Sequence, residues 1–490
     1  MRVQDASNLI RDISERPYYF FVGKPTPWSD SQNPSISDSN PPRQIENSYS
    51  YYNSALSQIM SLKKISEVDV SHLISRNTWI TGTVYDMYRH DYSSRNASAS
   101  GSTSLEGSIF CVVNSQSSVY VCLYNGTSPI NPRGIPSTVE PLSRNQEAFY
   151  TSDGYQWLYL YTMTNADVSN YSTNNFIPVR DYSYSPEYGK INTVIIDNSG
   201  SGYTSSPSGV ADTVQYYYCN IVGDGSGAVA RVSIESGRVS TVEVIRGGSD
   251  YTYANLVFEA NKVYKSIQDL DNRNNSLDPL GNFDFRSTVI ISPPEGWGAD
   301  LPRQLISTKV GIFTNLQFDT SDFINQVEFR QIGILNGISY SDPSFETNET
   351  LSGHDALCVV STTDYNLLEE INQEVTNSFG DAVNARGTVI AWDPSTGILR
   401  YIQDPKIHSD SDGNLYKFDP NGGAVVGLDS ATSGNVDVFF NSNVAGRIFS
   451  GGFSISEYVK YTGRLVYASN IQPVLRDSQQ IERVSIVISY

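Results

Sequence analysis

The chain has 490 residues and an acidic balance, with 33 Lys and Arg against 52 Asp and Glu and a formal net charge of −19. This length exceeds one ordinary hydrophobic core and predicts two to four domains, or one core with large insertions. An acidic surface repels phosphate backbones, so we expect no nucleic-acid partner.

The composition favours strands and turns. Tyr occurs 33 times and aromatic residues reach 12%, which is typical of pleated, half-buried surfaces and not of disordered chains. No stretch approaches the ~20 apolar residues of a membrane helix, and the N-terminus lacks the apolar core of a signal peptide. We therefore predict a mainly-β protein that does not enter a membrane by itself.

The four cysteines predict buried thiols and not a disulfide framework. They are Cys111, Cys122, Cys219 and Cys358. A bridge between Cys111 and Cys122, across a predicted hairpin, is the less favoured alternative. Such low cysteine use suits assembly in a reducing cytoplasm.

The first part of the chain predicts one short strand and one helix. Aromatic residues at 18–22 indicate the strand, a Gly- and Pro-rich turn follows at 23–27, and a polar loop covers 29–50. Leu56, Ile59, Met60 and Lys63 have helical spacing, so 54–65 is the best helix candidate. Residues 68–80 fit either a helix or a strand.

In the next part of the chain, the sequence pattern has the period of two residues that is typical of strands. Residues 108–124 predict a hairpin that turns around 114–118. Residues 153–163 predict a strand that is apolar on both faces and therefore central in its sheet.

Residues 188–260 contain an internal echo, in which the segment at 194–204 recurs at 242–252. Between the copies, residues 228–235 alternate as a strand and Ser236-Gly237 provides a turn. Two copies are too few for a solenoid, so we predict a small Gly-rich β module with two-fold repetition.

The remaining elements are predicted from local pattern. They are a polar loop at 261–282, strands at 287–292 and 325–340, a helix near 364–378, a hairpin at 387–403 with its turn at 393–397, a loop at 408–423, and a final strand that places Val484, Ile486, Ile488 and Tyr490 on one face.

Patterns that carry chemistry are weak. The four histidines, His72, His90, His354 and His408, are far apart in the sequence and lack metal-ligand spacing. The Gly-rich run 223–227 lacks the Lys of a phosphate loop and predicts a turn between strands. Asp410, Asp412 and Asn414 resemble the oxygen ligands of a calcium loop, but a solvated turn is the favoured interpretation. We therefore expect no enzyme activity, no cofactor and no metal.

Four segments, in chain order, resemble the gene-eight baseplate wedge protein family of T-even-like contractile-tail phages, and the segments 188–262 and 337–458 resemble β modules of the cyanophage-type version. The four segments are 21–28, 153–163, 329–334 and the C-terminus from 463. The residues that carry the resemblance, and that we take as structural or interface candidates, are Phe21, Gly23, Pro27, Trp28, Asp153, Gly154, Tyr155, Trp157, Phe329, Arg330, Gln331, Gly463, Tyr467, Asn470 and Pro473.

The resemblance implies a β-sandwich-type core built from discontinuous segments, with a few short helices and two inserted β-rich modules. The predicted segments are 1–187 as the first part of the core, 188–262 as the Gly-rich insert, 263–336 as the second part of the core, 337–458 as the second insert, and 459–490 as the strands that complete the core.

The resemblance also implies a role and partners. It implies a structural, non-enzymatic subunit of the virion tail baseplate that dimerises and joins other baseplate wedge subunits. A receptor-binding or fibre-attachment protein with glycan-binding loops is the alternative, and a tail-associated hydrolase is a third candidate. We further expect Trp28 to be a structural residue, with a loss of ~3–5 kcal/mol on truncation if its ring is fully buried.

Overall fold

The computed structural model describes residues 2–29, 33–42, 49–182, 185–204, 215–279, 281, 284–316, 324–444, 447–476 and 480–490. About 40% of the chain is strand and 12% is helix, arranged as several sheets with a closed barrel and only short helices. The predicted mainly-β class is therefore confirmed.

The α-helices are short and scattered along the chain. They are α1 (Arg2–Glu15), α2 (Tyr49–Ser57), α3 (Asn165–Asn170), α4 (Ile267–Asn272), α5 (Leu301–Gln304) and α6 (Pro405–His408). The strands of the first half are β1 (Tyr18–Gly23), β2 (Ile59–Ile65), β3 (Val70–Ser75), β4 (Cys111–Val113), β5 (Ser118–Tyr124), β6 (Phe149–Tyr150), β7 (Gln156–Thr162), β8 (Phe176–Pro178), β9 (Ile191–Asn198), β10 (Gln215–Gly223), β11 (Val229–Glu235), β12 (Arg238–Arg246), β13 (Ala254–Leu256), β14 (Val263–Tyr264) and β15 (Arg286–Ile291). Those of the second half are β16 (Lys309–Leu316), β17 (Phe329–Asn336), β18 (Thr350–Ser352), β19 (Asp355–Ser361), β20 (Glu370–Thr376), β21 (Ala382–Asp393), β22 (Ile398–Ile402), β23 (Val425–Gly427), β24 (Ser433–Val436), β25 (Asn443–Val444), β26 (Arg447–Ile448), β27 (Phe453–Ser454), β28 (Arg464–Val474) and β29 (Glu482–Ser489).

The chain divides into two compact units, each built from discontinuous segments. The first comprises Met1–Asn8, Ser71–Gly311 and Val487–Tyr490, and the second comprises Leu9–Val70 and Ile312–Ile486. The predicted insert at 188–262 falls wholly inside the first unit and the one at 337–458 wholly inside the second. Whether these segments are insertions stays a prediction.

The first unit contains a small antiparallel sheet with strand order β4-β5-β7-β6. The predicted hairpin is confirmed, since Cys111 pairs with Val121 and the Asn114 amide donates to the Ser118 carbonyl at 2.9 Å. Strand β7 is interior and buried on both faces, as predicted, with Trp157 fully buried. All four cysteines are buried free thiols, so Cys111 and Cys122 form no bridge.

The Gly-rich module folds as the sheet β12-β11-β10-β13, with β14 also paired to β10. Ala230 and Val232 of β11 are fully buried, and Ser236 and Gly237 form the predicted turn with φ values of 52° and 72°. Two positive φ values match the right-handed twist of a tight hairpin. The run 223–227 links β10 to β11, as expected of a turn between strands.

The second unit contains the five-stranded sheet β18-β2-β1-β17-β28, whose members come from both ends of the chain. Strand β1 is buried throughout and lies between β2 and β17. Four of its strands come from the predicted core segments, whereas β18 comes from the predicted insert at 337–458.

A closed barrel lies in the same unit. Its strands follow the order β22-β21-β20-β23-β24-β19, and β22 pairs again with β19 to close the ring. The interior includes the fully buried Leu357, Ile371, Val389 and Leu399. The predicted hairpin at 387–403 forms β21 and β22, with the Gly397 amide donating to the Asp393 carbonyl at 2.8 Å.

The predicted helix at 54–65 is wrong for most of its length. Helix α2 ends at Ser57, and residues from Ile59 onward form β2, which pairs with β1 and β18. A short apolar run does not distinguish a buried strand from a helix, and pairing on both edges decides it. Within the ambiguous stretch at 68–80, residues 70–75 form β3.

The predicted helix near 364–378 is also wrong, because residues 370–376 form β20 and pair with β21. Ile371, Gln373 and Val375 are buried and alternate with more exposed residues, so the period is two. The run at 261–282 is not only loop, since it contains β14 and α4. Helix α1 was not predicted at all.

Candidate functional site

Three of the four motif segments meet in the five-stranded sheet of the second unit. Gly23 of β1 pairs with Gln331 of β17, which pairs in turn with Asn470 of β28. Residues separated by hundreds of positions in the sequence thus lie on adjacent strands. The segment at 153–163 belongs to the first unit.

Several motif residues serve the packing of this sheet. Phe21 is fully buried and Phe329 is 3% exposed. A Cβ at Gly23 would lie 2.8 Å from the Gln58 carbonyl oxygen, which leaves room for glycine alone. Tyr467 pairs with Ile334, and Pro473 lies on the edge strand β28, where a missing amide proton is tolerated.

Gly463 lies at the start of β28 and turns the chain into the sheet. Its φ is +84°, and a Cβ there would approach the Ile338 side chain to 2.8 Å. Both facts favour glycine at this position.

Arg330 connects the sheet to the segment that carries Trp28. Its Nε and Nη2 donate to the two Asp38 carboxylate oxygens, both at 2.8 Å, and its Nη1 donates to the Pro25 carbonyl at 2.5 Å. Asp38 also accepts from the Trp28 amide at 2.8 Å. The bonds from Arg330 hold the pKa of Asp38 below its ordinary value. One buried guanidinium therefore fixes residues on both sides of Trp28.

Gln331 and Asn470 form a second polar cluster on the sheet. Gln331 Nε2 donates to Asn470 Oδ1 at 2.9 Å, and the Tyr51 hydroxyl donates to the same oxygen at 2.8 Å. Asn470 Nδ2 donates to the Pro42 carbonyl at 3.0 Å. These motif residues therefore tie β17 and β28 to helix α2.

A cavity of about 650 Å³ opens beside these clusters. It is lined by Lys24, Thr26, Pro27, Trp28, Ser29, Tyr51, Ser54, Ala55, Gln58, Gln331, Asp404, Lys406 and Ile407. The Trp28 ring is only half-buried, in contrast to the fully buried ring considered from the sequence. Its Nε1 donates to the Ile471 carbonyl at 3.1 Å, and the Lys24 ammonium lies 5.4 Å from the ring centroid.

The carboxylate in the cavity wall already has partners. Asp404 is 2% exposed and accepts from Gln58 Nε2 at 2.7 Å, from Ser54 Oγ at 3.2 Å and from the Lys406 amide at 3.0 Å. Burial lowers the pKa of Lys24 to about 8, although the charge of Asp404 opposes this shift. The cavity thus combines one satisfied carboxylate with ammonium groups.

The second motif segment forms a turn and a packed aromatic pair in the first unit. Asp153 accepts from the Thr138 and Val139 amides at 2.7 and 2.9 Å. Burial tends to raise the pKa of Asp153, but these and other hydrogen bonds bring it below its ordinary value. Beyond Gly154, the rings of Tyr155 and Trp157 stack 5.3 Å apart and are fully buried. These contacts support packing.

The segment that resembles a calcium loop, residues 410–414, forms a turn in which the Asp410 carboxylate accepts backbone hydrogen bonds. Asp410 accepts from the Asp412 amide at 2.9 Å and the Asn414 amide at 2.8 Å. In the Gly-rich run, Asp224 likewise accepts from the Thr252 amide at 2.9 Å.

Two of the four histidines make structural hydrogen bonds. His354 and His408 are buried and bonded to neighbours, such as the Met60 carbonyl for His354 Nδ1 at 3.0 Å and the Thr388 hydroxyl for His408 Nε2 at 3.0 Å. Among the described residues, no group of three or more His, Cys, Asp or Glu is arranged to hold a metal ion.

Sequence reasoning missed Lys24, Asp38, Tyr51, Gln58 and Asp404 as site residues. Lys24 lies within the motif segment 21–28, but the proximity of these five residues arises from sheet pairing and loop anchoring over long sequence separations. Only Asp404, which precedes a Pro and caps α6, carried a local signal.

No protein-family model matches the chain, and the search of curated proteins found no match. None of the helices in the described ranges combines the length and apolar character needed to span a membrane.

Proposed function

We propose that the chain is a structural subunit of a phage tail baseplate wedge that holds neighbouring wedge proteins together. The observation that carries the proposal is the pairing of three motif segments in one sheet. Their residues contact one another there, as Gln331 does Asn470. The three segments resemble one family in the same order along the chain, and they also pair in one sheet. This combination supports the family resemblance more strongly than isolated matches would.

The surface supports a role in protein contacts. Phe379, at the tip of the β20–β21 hairpin, is 88% exposed, and Phe439 is 87% exposed. Aromatic side chains give large contact area at modest entropic cost, and interfaces are enriched in them. We propose that the Phe379 tip contacts a neighbouring subunit.

The direct test is the position of the chain in the particle. Gold-labelled antibody against the protein should bind at the base of the tail. When the chain is co-expressed with other baseplate wedge proteins of the same phage, it should co-purify with them in a sub-assembly. Labelling at fibre tips together with failure to co-purify would contradict the wedge proposal.

A point variant tests the proposed contact. Phe379→Ser should weaken co-purification without lowering the unfolding temperature, since the ring contributes little to the folded chain when it is exposed. Tyr253→Ser, at a side chain that is 61% exposed in the other unit, is the matched control. Equal loss of co-purification in both variants would contradict an assignment to the Phe379 tip.

We also propose a homodimer, as the family resemblance implies. Light scattering of the purified chain should then give roughly twice the 54.2 kDa chain mass. The receptor-binding alternative predicts binding to glycan arrays by the isolated protein.

A further inference from the structure

The cavity beside Trp28 contains an ammonium group with unused hydrogen-bonding capacity. The Lys24 ammonium donates to the Thr26 hydroxyl, and its remaining protons meet no carboxylate within 4.0 Å among the described residues. An ammonium with free protons and no carboxylate partner is suited to bind an anion through charge-assisted hydrogen bonds.

The local charge favours an anion. The chain carries a net charge of −19, yet both Lys24 and Lys406 line this cavity. The Asp404 carboxylate is engaged by Gln58, Ser54 and the Lys406 amide. Burial lowers the pKa of Lys24 to about 8, which reflects the cost of a poorly compensated ammonium. A bound anion offsets that cost.

The remaining wall suits a hydroxylated molecule. Thr26, Ser29 and Ser54 contribute hydroxyl groups, and Gln331 contributes an amide. The Trp28 ring adds an apolar surface for carbon atoms. The volume of about 650 Å³ falls within the range of small-molecule sites.

We propose that this cavity binds a small hydroxycarboxylate, with its carboxylate at the Lys24 ammonium and its hydroxyl groups at the side-chain hydroxyls of Thr26 and Ser29. This function goes beyond the structural role proposed above and does not depend on it. A failure of the wedge proposal leaves the binding test unchanged, and the reverse also holds.

Three probes separate the two recognition elements. Calorimetric titration of the full chain with D-gluconate should show saturable binding. Propionate has the carboxylate without hydroxyls and D-glucitol has the hydroxyls without the carboxylate, so each should bind at least roughly tenfold more weakly. Absence of gluconate binding, or equal binding of gluconate and glucitol, would overturn the proposal.

Single substitutions test whether gluconate binds in this cavity. Lys24→Met keeps most of the aliphatic side chain but removes the ammonium, and it should weaken gluconate binding at least roughly tenfold. Lys262→Met, at an exposed lysine paired with Glu259 at 2.7 Å, removes the same charge elsewhere and should leave affinity unchanged.

A second variant keeps the test valid if Lys24→Met does not fold. Ser29 lies at the exposed rim of the cavity, so Ser29→Trp should obstruct the mouth with little effect on stability. Circular dichroism reports folding of each variant. Gluconate binding that survives in folded Ser29→Trp, and in Lys24→Met if that variant folds, rules out this cavity.

Discussion

Arg330→Met tests whether one buried guanidinium anchors the Trp28 segment to the sheet. The substitution keeps the aliphatic stem but removes four bonds, two to Asp38, one to the Pro25 carbonyl and one to the Glu328 carboxylate. Leaving one buried acceptor unpaired costs ~1–3 kcal/mol, and breaking a fully buried ion pair costs ~3–5 kcal/mol. The Asp38 side chain is 32% exposed, so solvent recovers part of that loss. We expect a loss of roughly 2–4 kcal/mol in the free energy of unfolding.

Urea unfolding followed by circular dichroism measures this loss, and a double-mutant cycle with Asp38→Asn isolates the pair. We expect a coupling of about 1–2 kcal/mol, because the two side chains touch. Arg16→Met is the matched control in the same unit. Its exposed pair with Asp12, at 3.3 Å, should contribute less than about 0.5 kcal/mol. Equal losses for Arg330→Met and Arg16→Met, or strict additivity in the cycle, would refute the anchoring role.

Three further measurements check other parts of the structure. Trp28→Ala should lower the free energy of unfolding in urea by only about 1–2 kcal/mol, because its ring is half-buried. Trp157→Ala, at a fully buried ring, should lower it by about 3–5 kcal/mol. Similar losses for the two variants would contradict these burial states. Burial lowers the pKa of His408 from 6.5 to about 4. As the pH falls, this histidine is therefore protonated in the unfolded chain before it is protonated in the folded chain. The free energy of unfolding should then drop by up to about 3 kcal/mol between pH 6.5 and 4. His408→Gln should flatten this slope in unfolding measured against pH, and an unchanged slope would show that other groups cause it. Burial raises the pKa of the Cys111 thiol to about 12, so iodoacetamide at pH 8 should label it only after denaturation, as mass spectrometry would detect.

Local pattern predicted several elements well. The hairpins at 108–124 and 387–403 were predictable because alternation and turn residues both act over a few positions. Strand β7 was predictable as interior because apolar residues on both faces require cover on both sides. Each of these inferences needs only neighbours in the sequence.

The two wrong helices show where local pattern fails. Ile59 and Met60 satisfy helical spacing, yet β2 forms because β1 and β18 pair with its two edges. Residues 370–376 include good helix formers, yet they complete a barrel strand. Backbone hydrogen bonds to distant strands outweigh propensities of a few tenths of a kcal/mol per residue.

The sequence by itself determined the mainly-β class, the acidic surface, most hairpins and the four ordered motif segments. Only the tertiary structure decided that Phe21, Gln331 and Asn470 belong to one sheet, and that 355–436 close into a barrel. It also decided the cavity, since Lys24 and Gln58 face a common space while Asp404 comes from a segment hundreds of residues away. Periodicity records which side of a strand is buried, but the strands that pair are selected by the whole chain, and sites formed between them carry no local signature.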